Sequence, residues 1–206
     1  MAVENVSRIQ QIYRQKVYFY DIVDLPFRAL RRKSVAHLAL FPGAVVLDLG
    51  CGTGQSFSLF ERLIGPEGRI IGVDISPEML ARAQEKVTRN GWRNVTLIQA
   101  NAESLHLPPE SVDALHCFDV HDIIISRRAM ERGVHALRHG GHCVIAGPKQ
   151  TSRWPGKLVT RLFTSSFVSD ITRAATPWTT LEDLIGRLEC EEQWGGGRYM
   201  AWGTRP

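Results

Sequence analysis

Short apolar runs alternate along this chain with longer stretches in which apolar residues recur every third or fourth position. Val45, Val46, Leu47 and Leu49 form the first run, broken only by Asp48, the pattern of a strand covered on both faces. Residues 56–63 shift to helical period and stop at the turn signal Gly65-Pro66, and a short run follows from Arg69 to Val73. The next helix is predicted over Pro77–Asn90, with Ser76-Pro77 opening it and Gly91 ending it. Its buried stripe is Met79, Leu80, Ala83 and Val87. Further strands are predicted at Val95–Ala100 and Val112–Cys117. A helix over Ser126–Arg138 then closes at Gly140-Gly141, and a fifth strand covers His142–Ala146.

After residues 148–180, a long connection, two last runs flank Gly195-Gly196-Gly197: Leu188–Trp194 and Arg198–Trp202. Glycines between strands indicate a hairpin. Strands alternating with helices define an α/β fold with a doubly wound, mostly parallel sheet. The 206 residues fit one domain (1–206), and 44% hydrophobic content is ample for its core. Within it, residues 1–41 read as an N-terminal helical lid and 148–180 as a substrate-side insertion.

Chemistry concentrates in the nonapeptide Val46-Leu47-Asp48-Leu49-Gly50-Cys51-Gly52-Thr53-Gly54. Closely spaced glycines let backbone groups approach a ligand without an intervening Cβ. A dinucleotide turn would need GxGxxG, whereas Gly50, Gly52 and Gly54 are evenly spaced. Asp48 would repel a phosphate there but would favour a cationic ligand. Asp74 ends the second strand about twenty residues after the loop, where doubly wound folds place the carboxylate that grips a ribose diol. Its alternative role as a helix cap is already filled by Ser76.

The string DxGxGxG closely resembles motif I of the class I S-adenosylmethionine-dependent methyltransferases. That resemblance implies a seven-stranded Rossmann-like sheet of order 3-2-1-4-5-7-6 with strand 7 antiparallel. It also implies S-adenosylmethionine as cofactor and S-adenosylhomocysteine as product. Cofactor contacts are then expected from Asp48, Gly50, Cys51, Gly52, Gly54 and Asp74. Ile75 and Met79 fall in the family's D-x-S-x-x-M run, whose apolar members contact adenine. Asn101-Ala102-Glu103 stands where the family has Asp-Ala-Glu; asparagine keeps an acceptor oxygen for the adenine amino group but drops the charge. Phe118-Asp119-Val120-His121-Asp122 matches motif IV, which borders the methionine portion of the cofactor and the acceptor.

Within that pentapeptide, Phe118 is a cofactor contact, His121 a candidate general base and Asp122 its candidate partner, although neighbours in a strand point oppositely. His121 reads equally as a loop or helix-capping residue. Tyr20-Asp21, preceded by Tyr13 and Tyr18, resembles the entry signature of ubiquinone and menaquinone biosynthesis methyltransferases and of soluble bacterial phospholipid N-methyltransferases. Tyr20 is therefore the third catalytic candidate. Methyl transfer from a sulfonium needs little beyond alignment and a dry pocket, and no acidic cluster suggests a metal.

Charge and patterning narrow the acceptor. A net charge of +4 and a pI near 9.0 keep nucleic acid in view, but the basic residues are scattered and no recognition segment appears, so nucleic acid is not the expected partner. Basic amphipathic segments, with Arg28, Arg31, Arg32 and Lys33 in one and Lys157 and Arg161 in the other, read first as sheet covers. They also suit peripheral contact with an anionic membrane. The acceptor is then a small molecule or lipid, a phospholipid headgroup amine being favoured. Carbon or oxygen methylation of a quinone precursor or other natural product is the alternative, and a noncatalytic scaffold built on the same fold is a third reading. Cys51, Cys117, Cys143 and Cys190 lack CxxC spacing and read as reduced thiols. With no long apolar run near the N-terminus, the expected address is the cytosol. Oligomeric state is not legible.

Overall fold

The computed structural model describes residues 25–151, 154 and 176–206. Its centre is a seven-stranded sheet of order β3-β2-β1-β4-β5-β7-β6. The strands are β1 (Val45–Leu49), β2 (Arg69–Asp74), β3 (Val95–Gln99), β4 (Val112–Phe118), β5 (Leu137–Pro148), β6 (Glu189–Gln193) and β7 (Arg198–Thr204). β1 to β5 pair in parallel, and β7 runs antiparallel to both β5 and β6. Order and direction both match the arrangement implied by the sequence.

Among the described residues, six α-helices flank the sheet: α1 (Arg28–Ala36), α2 (Phe57–Ile64), α3 (Pro77–Asn90), α4 (His121–Ile125), α5 (Arg127–Ala136) and α6 (Thr179–Ile185). α3 has the predicted bounds because its end signals are unambiguous. Ser76 Oγ accepts from Met79 N at 3.2 Å, Pro77 occupies the first turn, and Gly91 takes the left-handed conformation at φ 68°.

Alternating residues divide the core into two faces. Leu47, Leu49, Ile71, Val73, Leu115 and Cys117 pack beneath α5 and α6 with Met130, Val134 and Leu181. Val46, Ile70, Ala114, Phe118 and Val144 face the other way, against Phe57 and Phe60 of α2 and Leu30 and Val35 of α1. Both α2 phenylalanines are fully buried, each contributing roughly 2–3 kcal/mol of transfer free energy.

Two boundaries differ from expectation. The predicted helix Ser126–Arg138 is α5, which Ser126 caps by accepting from Ala129 N at 3.3 Å, and a short helix that the sequence did not announce, α4, precedes it from His121. Gly140-Gly141 does not end the helix but lies inside β5, which begins at Leu137. There Gly140 N donates to Arg205 O and Arg205 N to Gly141 O, extending the ladder past the glycines. The residues preceding 25, with Tyr13, Tyr18, Tyr20 and Asp21, and most of the 148–180 connection, with Lys157 and Arg161, lie outside the described residues.

Candidate functional site

Strand order reverses between β1 and β4, and the crevice at the carboxyl ends of such strands is where open α/β sheets bind ligands. The loop leaving β1 is pinned from below: Gly50 N and Cys51 N both donate to Val73 O, at 2.7 and 2.9 Å. Glycine is required here. Gly50 sits at φ 80°, and a Cβ there would come within 2.4 Å of Val120 Cγ1. Gly54, at φ 71°, meets the Phe57 ring at 2.6 Å in the same test.

Asp74 completes the loop from β2. Oδ2 accepts from Gly52 N and Oδ1 from Ser76 N, each at 2.9 Å. Burial raises its pKa above the usual carboxylate value despite these bonds, and the nearby Asp48 charge adds to the rise. The residue is only half-buried, and backbone bonds from Gly52, Ser76 and Ile75 do not exhaust the acceptor sites of a carboxylate. A vicinal diol brought to that edge supplies the donors such a carboxylate needs. Its chemistry therefore fits the ribose of S-adenosylmethionine, with the glycine loop against the rest of the cofactor.

The other expected contacts are distributed unevenly around this edge. The Cys51 backbone belongs to the loop, but its thiol packs under it beside Gly72. Burial, then the charges of Asp74 and Asp48, push that thiol well above its ordinary pKa. Ile75 is half-buried and Met79 almost wholly buried at the start of α3. Asn101 Oδ1 accepts from Glu103 N at 2.9 Å, capping the short 3-10 turn Ala102–Ser104, so one of its lone pairs is committed locally. Ala102 is buried beneath that turn. Phe118 is also buried, with the Arg31 guanidinium carbon 4.0 Å from its ring centroid and that of Arg198 at 5.9 Å.

His121 and Asp122 open α4, not a strand. His121 is 3% exposed while Asp122 faces solvent, so the helix carries them to different sides. Between β4 and α4, Asp119 takes φ 60°, and Arg198 Nη2 donates to its Oδ1. Among the described residues, no group of three His, Cys, Asp or Glu side chains is placed to hold a metal.

Asp48 is not at the surface of the crevice. It is 3% exposed, and its Oδ1 lies 2.8 Å from His116 Nδ1. On the far side of the ring, His116 Nε2 lies 3.0 Å from Ser34 Oγ of α1, and Arg31 Nη1 donates to Ser56 Oγ at 3.0 Å. Sequence reasoning overlooked His116, Ser34 and Ser56. The available signal was a histidine in an otherwise apolar stretch of β4, in direct register with Asp48.

Comparison with known proteins agrees with this architecture. A family model described as a methyltransferase domain matches residues 40–187. An arsenite methyltransferase from Halobacterium salinarum is 35% identical over 155 residues, covering 75% of this chain and 38% of that protein. The ubiquinone/menaquinone biosynthesis C-methyltransferase of a Marinomonas species is 30% identical over 149 residues, covering 69% of this chain and 59% of that protein. The chain thus spans 38% and 59% of the lengths of these two curated relatives. A solved structure of a SAM-dependent methyltransferase from Aquifex aeolicus superposes with a TM-score of 0.70 at 20% identity, over 93% of this chain and 98% of that one, a likeness of fold. With the loop at β1, the carboxylate at β2 and the antiparallel β7, the chain belongs to the class I S-adenosylmethionine-dependent methyltransferase family, through its methyltransferase domain.

Proposed function

We propose that this chain transfers the methyl group of S-adenosylmethionine to a small amphipathic acceptor at the carboxyl edge of β4. The observation that carries this reading is the Asp74 carboxylate at the tip of β2, bonded to Gly52 N of the glycine loop and only partly buried. When bound, the cofactor would supply an activated methyl on sulfonium for an electron pair of the acceptor. Gly50, Gly52 and Gly54 keep side chains out of its path, and Asp48 contributes negative charge behind the loop. Asp74 holds the ribose, while Ile75, Met79, Asn101 and Ala102 border the adenine. Phe118 borders the methionine end. His121 takes the proton the acceptor loses, from O–H, N–H or the methylated ring carbon, Asp122 adds negative charge at the same helix start, and Tyr20 is the third catalytic residue.

The acceptor best supported is a phenol-type ring, methylated at carbon or oxygen as in quinone precursors. What supports it is the likeness to ubiquinone/menaquinone biosynthesis C-methyltransferases. A phospholipid headgroup amine is the second reading, because Arg28 and Arg32 of α1 are exposed and suit an anionic lipid surface. Arg31 does not serve that surface: it turns inward to Ser56 and Phe118, and Lys33 is paired with Glu191.

Incubating the purified protein with methyl-labelled cofactor and either prenylated phenols or phosphatidylethanolamine vesicles separates the two. Label on the ring supports the first reading and label in the headgroup the second. Cofactor binding with label in neither, across a wider acceptor set, would favour the noncatalytic scaffold.

A further inference from the structure

The α1-facing core contains a buried chain of polar contacts of which the methyl-transfer reading uses only Asp48. Ser34, Asp48, Ser56 and His116 are each 3% exposed or less, and Arg31 is 7% exposed. Ser34 Oγ donates to Arg31 O at 2.8 Å, which uses its single hydrogen. The same oxygen lies 3.0 Å from His116 Nε2, and Asp48 Oδ1 lies 2.8 Å from Nδ1. The imidazole thus bridges a carboxylate on β1 to a helix above the sheet. The ring is fixed by Phe60, edge-on at 5.3 Å, and by Phe118, stacked at 6.0 Å.

A second tie runs in parallel. From the same helix, Arg31 Nη1 reaches Ser56 Oγ at 3.0 Å and its guanidinium lies over Phe118. Asp48 stands two residues before Gly50, and Ser56 two residues after Gly54. α1 therefore grips the glycine loop at both of its ends.

We infer that His116, with Ser34 and Arg31, is a set of positioning residues coupling the seating of α1 to cofactor binding at the loop. Lifting α1 leaves His116 Nε2 as a buried polar atom without its Ser34 partner, and it frees Ser56 at the start of α2. A ligand that orders the loop must then favour the seated helix, and seating the helix must favour the ligand by the same factor. This rests on the loop being the adenosylmethionine site, and the test separates the two claims.

Hydrogen exchange of the α1 amides is measured with and without saturating S-adenosylhomocysteine, alongside calorimetric affinity, for wild type, Ser34→Ala, Arg31→Met and His116→Asn. Asparagine keeps a donor for Asp48 but cannot reach Ser34. Ligand slows α1 exchange in wild type, and Ser34→Ala weakens binding by about fivefold, the equivalent of about 1 kcal/mol. Adding Ser34→Ala to His116→Asn weakens binding no further, whereas a bond that only stabilised the fold would leave affinity for the ligand untouched by either variant. A wild type that binds ligand with unchanged α1 exchange, or variants whose losses simply add, overturns the coupling. A folded wild type that binds no ligand overturns the cofactor reading instead.

Discussion

The Asp74 carboxylate receives Gly52 N–H at 2.9 Å across the gap between β2 and the β1 loop, and its other oxygen receives Ser76 N–H at the same distance. One side chain thus sets both the height of the glycine loop and the start of α3. The Gly52 amide should exchange slowly in the free protein, and Asp74→Asn should speed it, since an amide group offers only one acceptor oxygen where two are used. Equal Gly52 exchange in the two proteins by amide-resolved mass spectrometry or NMR would contradict this.

Close approach, beyond backbone conformation, distinguishes Gly50. Gly50 and Gly91 both have positive φ, but an added Cβ at Gly91 meets nothing within 4 Å, whereas at Gly50 it collides with Val120. Gly91→Ala should cost about 1 kcal/mol and Gly50→Ala about 2–4 kcal/mol of unfolding free energy. Urea titration of the two variants checks the order.

The Asp119–Arg198 pair should behave as a buried ion pair. Arg198 is 4% exposed, its guanidinium carbon lies 4.0 Å from the Phe27 ring centroid, and it donates to a carboxylate held at positive φ. Arg198→Met leaves Asp119 without this partner and should destabilise by about 3 kcal/mol, while the double variant Arg198→Met/Asp119→Asn should recover part of that loss. No recovery in denaturant unfolding would show that the charge pairing is not what matters.

Alkaline pH should weaken the fold through buried thiols. Burial pushes Cys143 up to about 12 and Cys51 and Cys117 well above their ordinary value of 9.0. Above pH 9 the unfolded chain sheds thiol protons that the native state retains, so the unfolded state binds fewer protons and stability falls as pH rises. For Cys143 this effect is absent below about pH 9 and grows towards pH 12 at about 1.4 kcal/mol per pH unit. Cys143→Ala should flatten the decline in unfolding free energy measured between pH 9 and 10.5. Cys190, the exposed thiol, should be the first of the four to react with a thiol reagent in the native protein.

Much of this was legible from the sequence because local signals and the global fold agree. The β1 run, the Ser76-Pro77 start, the Gly91 stop and the Gly195-Gly196-Gly197 hairpin each name an element and its boundary. Gly140-Gly141 misled, because glycine pairs end helices and also sit within strand ladders, and only pairing with Arg205 decides between them. The short turn from β4 into α4 was hidden because His121 carries no cap signal, and its exposure relative to Asp122 depends on helical phase. The inner polar chain was hardest to see. Asp48 and His116 become neighbours only through the β1–β4 register, and Ser34 looks like any helix residue until α1 is laid on the sheet. Arg31 read as surface charge for the same reason.

The most direct measurement of the central claim is calorimetry of the wild type and Asp74→Ala with S-adenosylhomocysteine and, separately, with NAD. The account predicts that wild type binds S-adenosylhomocysteine and not NAD, and that Asp74→Ala, still folded by circular dichroism, binds at least about tenfold more weakly, as expected when charge-assisted hydrogen bonds to a ribose diol are lost. Equal affinity in the two proteins would contradict the ribose assignment, and binding of NAD in place of S-adenosylhomocysteine would contradict the account as a whole.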